Sequence, residues 1–214
     1  MNKFLSASIL ALGLIAPGAA QDMPAPSPVV PAGEYKLDKS HATLTFVVNH
    51  LGFSNYHAQF TSFDATMTFD PAKPAEAKLT ATVDPNSLSV PHPPEGFLKE
   101  LTGPQFLDTA QFPEMKFVST AIEVTGEKTG KVTGDFTLHG VTRPVTLDVT
   151  FNGGWAGIPG MDPHARAGFS ATGTLKRSEF GIGYGVPPEG TNMGVSDEVQ
   201  IVIEAEFTGP DLKP

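Results

Sequence analysis

The sequence predicts an all-β domain: an eight-stranded antiparallel up-and-down barrel with a short helical lid segment. Three observations carry that expectation. Apolar and polar residues alternate with a period of two through most of residues 34–207, as in strands with one face buried and the other in water. The 214 residues include 22 Gly and 20 Pro, a composition of many turns rather than long helices. One strand has mostly small inward residues, Ala165, Ala167, Ala171 and Gly173 beside Phe169 and Leu175, which leaves free volume inside a closed sheet. A two-sheet sandwich is the other closed solution. Its core would more naturally be filled by large side chains from both sheets, whereas an eight-stranded barrel has room for one small ligand.

In chain order, residues 1–20 read as a secretory leader. Lys3 supplies the positive start, Phe4 to Ile15 the apolar run, and Gly18-Ala19-Ala20 the small-residue cleavage site. That run is too short to span a bilayer, and no other stretch is long enough, so an exported chain with no stable membrane insertion is expected. Pro24, Pro26, Pro28 and Pro31 mark residues 21–32 as an extended tether. The barrel domain is expected over 33–209, with 210–214 as a tail.

The first strand places Leu44, Phe46 and Val48 on one face and ends at His50. The second holds Phe63, Ala65, Met67 and Phe69, after a parity slip from Phe60 that signals a bulge. Leu79, Ala81 and Val83 form the third, and Met115 and Phe117 the fourth, weakening toward Val124. The fifth and sixth are one hairpin, with Val132, Phe136 and Leu138 on the first arm and Val145, Leu147, Val149 and Phe151 on the second. His139 to Pro144 supplies the Gly and Pro of its reversal. Residues 165–175 form the seventh. Val199, Ile201, Ile203, Ala205 and Phe207 mark the eighth.

A simple meander puts both long excursions, 85–112 and 178–197, at one rim. The first contains Phe97-Leu98-Lys99-Glu100-Leu101 at helical spacing, followed by Phe106. The second contains Phe180, Ile182 and Tyr184. Loops this long in a compact domain are usually functional or mobile, and this apolar pair reads as a lid or mouth.

The residues expected to contact a ligand are therefore Phe46, Val48, Phe63, Met67, Phe117, Phe136, Leu138, Leu147, Phe169, Ile201 and Ile203 inside. Phe97, Leu101, Phe106, Phe180, Ile182 and Tyr184 join them at the rim. Arg143 and Arg177 end strands on the same rim, where a guanidinium meets a phosphate or carboxylate bidentately. The alternative for either is a salt bridge to a nearby acid such as Glu179 or Asp135.

Other chemistries find little support. With 14 basic against 23 acidic residues the formal charge is −9, one unit more negative once Lys3 is removed, so nucleic acid is not an expected partner. There is no cysteine, which excludes thiol chemistry and disulfides. His41, His50, His57 and His139 match no zinc spacing, so no metal is expected. Gly181-Ile-Gly-Tyr-Gly185 is followed by Pro187 and Pro188 rather than a helix, which argues against a phosphate loop. No Gly-x-Ser-x-Gly elbow occurs. Ser40 and His41 are neighbours on a strand, expected on opposite faces, and so form no nucleophile–base pair.

With these residues placed, the chain resembles the YceI-like family of exported, lipocalin-like lipid-binding proteins over about Gly33 to Gly209. The resemblance rests on Ser40-His41-Ala-Thr-Leu-Thr-Phe46 with His50-Leu51, and on Asp84-Pro-Asn-Ser-Leu88. It continues with Phe106-Leu-Asp108, Phe112-Pro113 and Phe117-Val-Ser-Thr120. The strongest piece is Val132 to Val145, followed by Arg177-Ser-Glu-Phe-Gly181. It implies a barrel whose apolar interior holds a polyisoprenoid or similar long-chain amphiphile, a periplasmic location, and a homodimer as an option. Two departures, Ala58-Gln59-Phe60 after the first loop and Pro94-Glu-Gly-Phe97-Leu98 before the lid, keep the family's headgroup preference from carrying over. The functional expectation is a non-catalytic carrier or sequestering protein with no cofactor beyond its lipid. A barrel isomerase or cyclase would need a perturbed acid or base among the inward positions, and those are apolar from end to end. A filled-barrel adaptor is the third reading, which a continuous cavity would sink.

Overall fold

The computed structural model describes residues 30–212, so the expected leader and all but the last residues of the expected tether lie outside the described region. The strands are β1 (Gly33–His50), β2 (Ser54–Phe60), β3 (Phe63–Phe69), β4 (Lys78–Val83), β5 (Leu88–Ser89), β6 (Met115–Val124), β7 (Thr129–Leu138), β8 (Val141–Trp155), β9 (His164–Lys176) and β10 (Glu198–Asp211). One helix of five residues, α1 (Phe97–Leu101), lies in the long connection before β6. Neighbours pair antiparallel in a meander, and β10 returns to pair with β1, closing the sheet. β2 and β3 are one stave: both pair with β1, β2 against 44–50 and β3 against 33–36. The break at Thr61-Ser62 is the bulge expected from the parity slip at Phe60. Counted this way the barrel has eight staves, with the two-residue β5 added at the β2 edge.

The alternation works as read. On β3, Ala65, Met67 and Phe69 are buried while Asp64, Thr66 and Thr68 are exposed. The β7–β8 hairpin carries the outer-face pairs that stabilise a sheet. Thr133 and Thr146 hydroxyls lie 2.8 Å apart, as do those of Thr137 and Thr142, and Lys131 Nζ reaches Asp148 Oδ1 at 2.6 Å. Its turn is tighter than expected. Leu138 pairs with Val141, so only His139 and Gly140 reverse the chain, at φ of 51° and 73°, the geometry of a two-residue primed turn. Pro144 belongs to β8.

The ends of the domain also differ from expectation. Val30 is buried in the core and the Tyr35 hydroxyl donates to Pro31 O at 2.6 Å, so part of the expected tether packs on the barrel. At the other end β10 runs to Asp211, and Leu212 N donates to Pro163 O. These contacts need partners distant in sequence, which composition does not reveal.

The barrel floor is an aromatic plug. Phe169 meets Phe69, Phe151 and Phe207 at ring-centroid distances of 5.6, 5.3 and 6.0 Å. The small residues of β9 turn out to have two uses. Ala165 and Ala167 are fully buried in this plugged cluster, and a Cβ on Gly173 would meet Leu147 at 2.6 Å, so these positions make room for larger neighbours.

Candidate functional site: an apolar lumen

Above the plug the barrel encloses a cavity of about 1080 Å³, larger than the roughly 300–1,000 Å³ usual for drug-sized ligands. Every stave sends its inward positions into it, because a period of two on a closed sheet points alternate side chains at the axis. Phe46 and Val48 enter from β1, Phe63 and Met67 from β3, and Phe117 from β6. Phe136 and Leu138 come from β7, Leu147 from β8, Phe169 from β9, and Ile201 and Ile203 from β10.

The mouth is built from the two long loops, which meet at one rim as the meander requires. Phe97, Leu101 and Phe106 come from the 84–114 segment, and Ile182 and Tyr184 from the 177–197 loop. Phe97, Leu101 and Leu107 pack on a cluster of Ala58, Leu88 and Val90, which seats the lid on β2 and β5. The loops touch through an edge-on contact of Phe106 and Tyr184, 5.3 Å between centroids. Leu51 N donates to Gly194 O at 2.9 Å, tying the β1–β2 turn to the same loop.

Three of the candidate residues have other places. Phe180 does not line the lumen: it is fully buried in the cluster of Phe117, Leu138 and Ile182, edge-on to Phe136 at 5.6 Å. Arg143 is exposed on β8 and does not line the cavity. Arg177 borders the cavity, but its guanidinium is engaged by backbone. Nε donates to Ser196 O at 3.0 Å, Nη1 to Ile182 O and Tyr184 O at 3.1 and 2.7 Å, and Nη2 to Val195 O at 2.9 Å. Burial lowers its pKa from the usual guanidinium value. Neither expected role fits: Arg177 holds a loop together and has little left for a headgroup or for Glu179.

The lumen also has members that the alternation missed. Leu88 and Val90 line it from a stretch with only a two-residue strand. Ile122 and Val124 line it because β6 is bulged between Ser119 and Ala121. Their even parity after the odd Met115 and Phe117 is the signal that marks the bulge. His50 and His92 face the cavity at the mouth, where Tyr56 Oη donates to Pro91 O at 3.3 Å.

A second polar cluster lies outside the barrel. Between Leu37 and Ala42 four residues of β1 stand opposite Glu206 alone. This wide bulge breaks the alternation expected to separate Ser40 from His41: both bond to Asp38, at 2.5 and 3.0 Å. Those bonds, Ser40 first and His41 second, hold the Asp38 carboxyl well below the usual range, while Asp38 raises the pKa of His41. Ser40 donates to the carboxylate rather than to His41, so no activated nucleophile results. Asp38, His41 and Glu206 converge as metal ligands would, but Arg166 Nη1 sits 2.8 Å from Asp38 Oδ2 and also bonds Thr208. A guanidinium on the central carboxylate makes this an ion-pair network joining β1, β9 and β10.

The fold and the site thus define a closed antiparallel barrel around an apolar lumen with a looped mouth. Residues 35–207 match the model of the YceI-like domain, and a UPF0312 protein of Pseudomonas putida strain W619 is 43% identical over 88% of this chain and 93% of its own length. The chain belongs to the YceI-like family. Among solved structures, Burkholderia cenocepacia BcnA matches with a TM-score of 0.67 at 26% identity, over 79% of this chain and 98% of that one. A polyisoprenoid binding domain from Saccharophagus degradans shares the fold at a TM-score of 0.59 and 14% identity, over 82% of this chain and 98% of its own.

Proposed function

We propose that this protein is an exported, non-catalytic binding protein that holds a long-chain amphiphile in its lumen: a polyisoprenoid, an isoprenoid quinone or a fatty-acid derivative. The observation that carries the reading is the continuous cavity of about 1080 Å³ walled by carbon from every stave. Transfer of a chain from water into such a space is favourable by roughly 0.8 kcal/mol per CH2, before the cost of ordering it. The lining residues Lys78, Glu127 and Lys128 lie at the cavity's exposed edge, His50, Tyr56 and His92 lie at the mouth, and the walls between carry no carboxylate, lysine or histidine. An isomerase or cyclase would need such a group beside the reacting bond, so binding is favoured over catalysis. A filled-barrel adaptor loses its premise, since the interior is not filled. The polyisoprenoid binding domain that shares this fold supports the ligand class, and the leader read at residues 1–20 supports delivery to the periplasm.

The test is native mass spectrometry of protein purified from the periplasm, followed by organic extraction and lipid analysis. A stoichiometric long-chain species is expected, lost in Phe169→Trp, where a larger ring rises from the plug into the lumen. A clean unliganded mass, unchanged after incubation with polyprenols, quinones and fatty-acid amides, would overturn the reading.

A further inference from the structure

The cavity does not end at the aromatic plug. It also extends along the barrel wall at the end opposite the lid, where its lining includes the exposed residues Lys78, Val124, Glu127 and Lys128. β4 and β6 pair only from Thr80–Val83 against Met115–Val118. There the ladder stops, and Leu79 N donates instead to the Ser119 hydroxyl oxygen at 2.8 Å. The β6 bulge follows at once. It turns Ile122 and Val124 inward with no β4 residue paired beside them. Beyond this point the short Pro74–Glu76 turn, rather than β4, lies against β6, and the cavity is bordered by Pro71, Pro74 and Ala77 on one side and by Ile122, Val124 and the 126–130 turn on the other. Val124 is 49% exposed although it lines the cavity, as expected of a side chain at the edge of an opening.

We infer that this gap is a second portal, through which the far end of a bound hydrocarbon chain leaves the barrel. The inference rests on the reading of the lumen as a lipid site and adds a rule about chain length. A closed cup of fixed volume rejects chains longer than itself. A tube open at both ends accepts them and leaves the excess outside. The inner edge of the portal is apolar, with Ile122, Val124, Ala77 and the two prolines, and Lys78, Glu127 and Lys128 stand outside it at the exposed edge, so the chain passes an apolar ring before it meets water. His50, Tyr56 and His92 at the lid-side mouth are the polar groups available to the other end of an amphiphile.

The experiment compares a short prenol, farnesol, with a long one, solanesol, in binding to the full chain and to Val124→Trp and Ala77→Trp. Both positions are at the portal's edge, Val124 half exposed and Ala77 partly buried against the core cluster, and far-UV circular dichroism verifies that each variant retains the barrel. The expected result is that the natural chain binds both prenols. Each tryptophan then weakens solanesol about tenfold more than it weakens farnesol. Solanesol binding unaffected by either tryptophan overturns the portal while leaving the lipid site standing. So does rejection of solanesol by the natural chain that accepts farnesol. Failure of the natural chain to bind either prenol overturns the polyisoprenoid reading of the lumen and the portal with it.

Discussion

Arg177 shows how far a side chain's role depends on groups distant in sequence. Its guanidinium gathers four carbonyls from residues 182–196, so its loss strands buried acceptors rather than freeing a ligand site. Arg177→Met is expected to cost about 2–4 kcal/mol of stability, read as a lower urea midpoint. Arg177→Lys should recover only part, because an ammonium cannot reproduce the planar fork. Tyr35 is a second buried polar residue with a measurable signature. Burial pushes its phenol up to about 12, whereas an unfolded tyrosine ionises near pH 10. Between these values the unfolded chain binds fewer protons than the folded one, so stability falls as pH rises. About 2–3 kcal/mol should be lost by about pH 12, and Tyr35→Phe should flatten that slope in urea titrations between about pH 8 and about pH 11.5. The mutant gives up the bond to Pro31 and starts from a lower plateau. An unchanged slope would mean that other groups set alkaline stability.

Among the elements, the lid is held by few contacts relative to its length. α1 has five residues, far below what makes a helix stable alone, so its position depends on packing over Ala58, Leu88 and Val90. The Phe106–Tyr184 edge contact is the direct aromatic link between the two mouth loops, and such contacts are worth about 0.5–1.5 kcal/mol. Phe106→Ala is expected to speed ligand release roughly fivefold, measured by displacing a bound fluorescent fatty acid with excess unlabelled lipid. Tyr184→Phe keeps the ring and should leave the rate unchanged. Equal rates in all three proteins would show that the loops do not gate exit. The eight staves were legible one by one, since Phe63-Ala65-Met67-Phe69 or Val145-Leu147-Val149 needs only a period of two. The parity slip at Phe60 even located the β2–β3 break. The slip between Phe117 and Ile122 was equally visible but fell in a strand with weak alternation, and Leu88 lies in a strand too short to have a pattern, with Val90 just beyond it.

At the scale of the whole molecule, closure by β10 on β1 turns an alternating sheet into a container. Its floor, wall gap and mouth then decide what it holds. The acidic composition, the lack of cysteine and the eight apolar inward faces were readable from residue order, because strand periodicity and composition are local properties. So were most of the lumen residues, since parity alone assigns a side chain to the inside of a closed sheet. Which small residues leave space and which are filled was not readable. Ala165 and Ala167 sit in the plugged cluster and Gly173 faces Leu147, and those partners come from other staves. The engagement of Arg177, the exclusion of Phe180 from the lumen and the end of the β4–β6 ladder at Ser119 likewise depend on groups that meet only after the barrel closes. Sequence alone determined the staves and their inner faces through the geometry of the extended chain. Tertiary structure decided how much of the interior stays empty and where it opens, because volume and access are set by contacts between strands rather than within them.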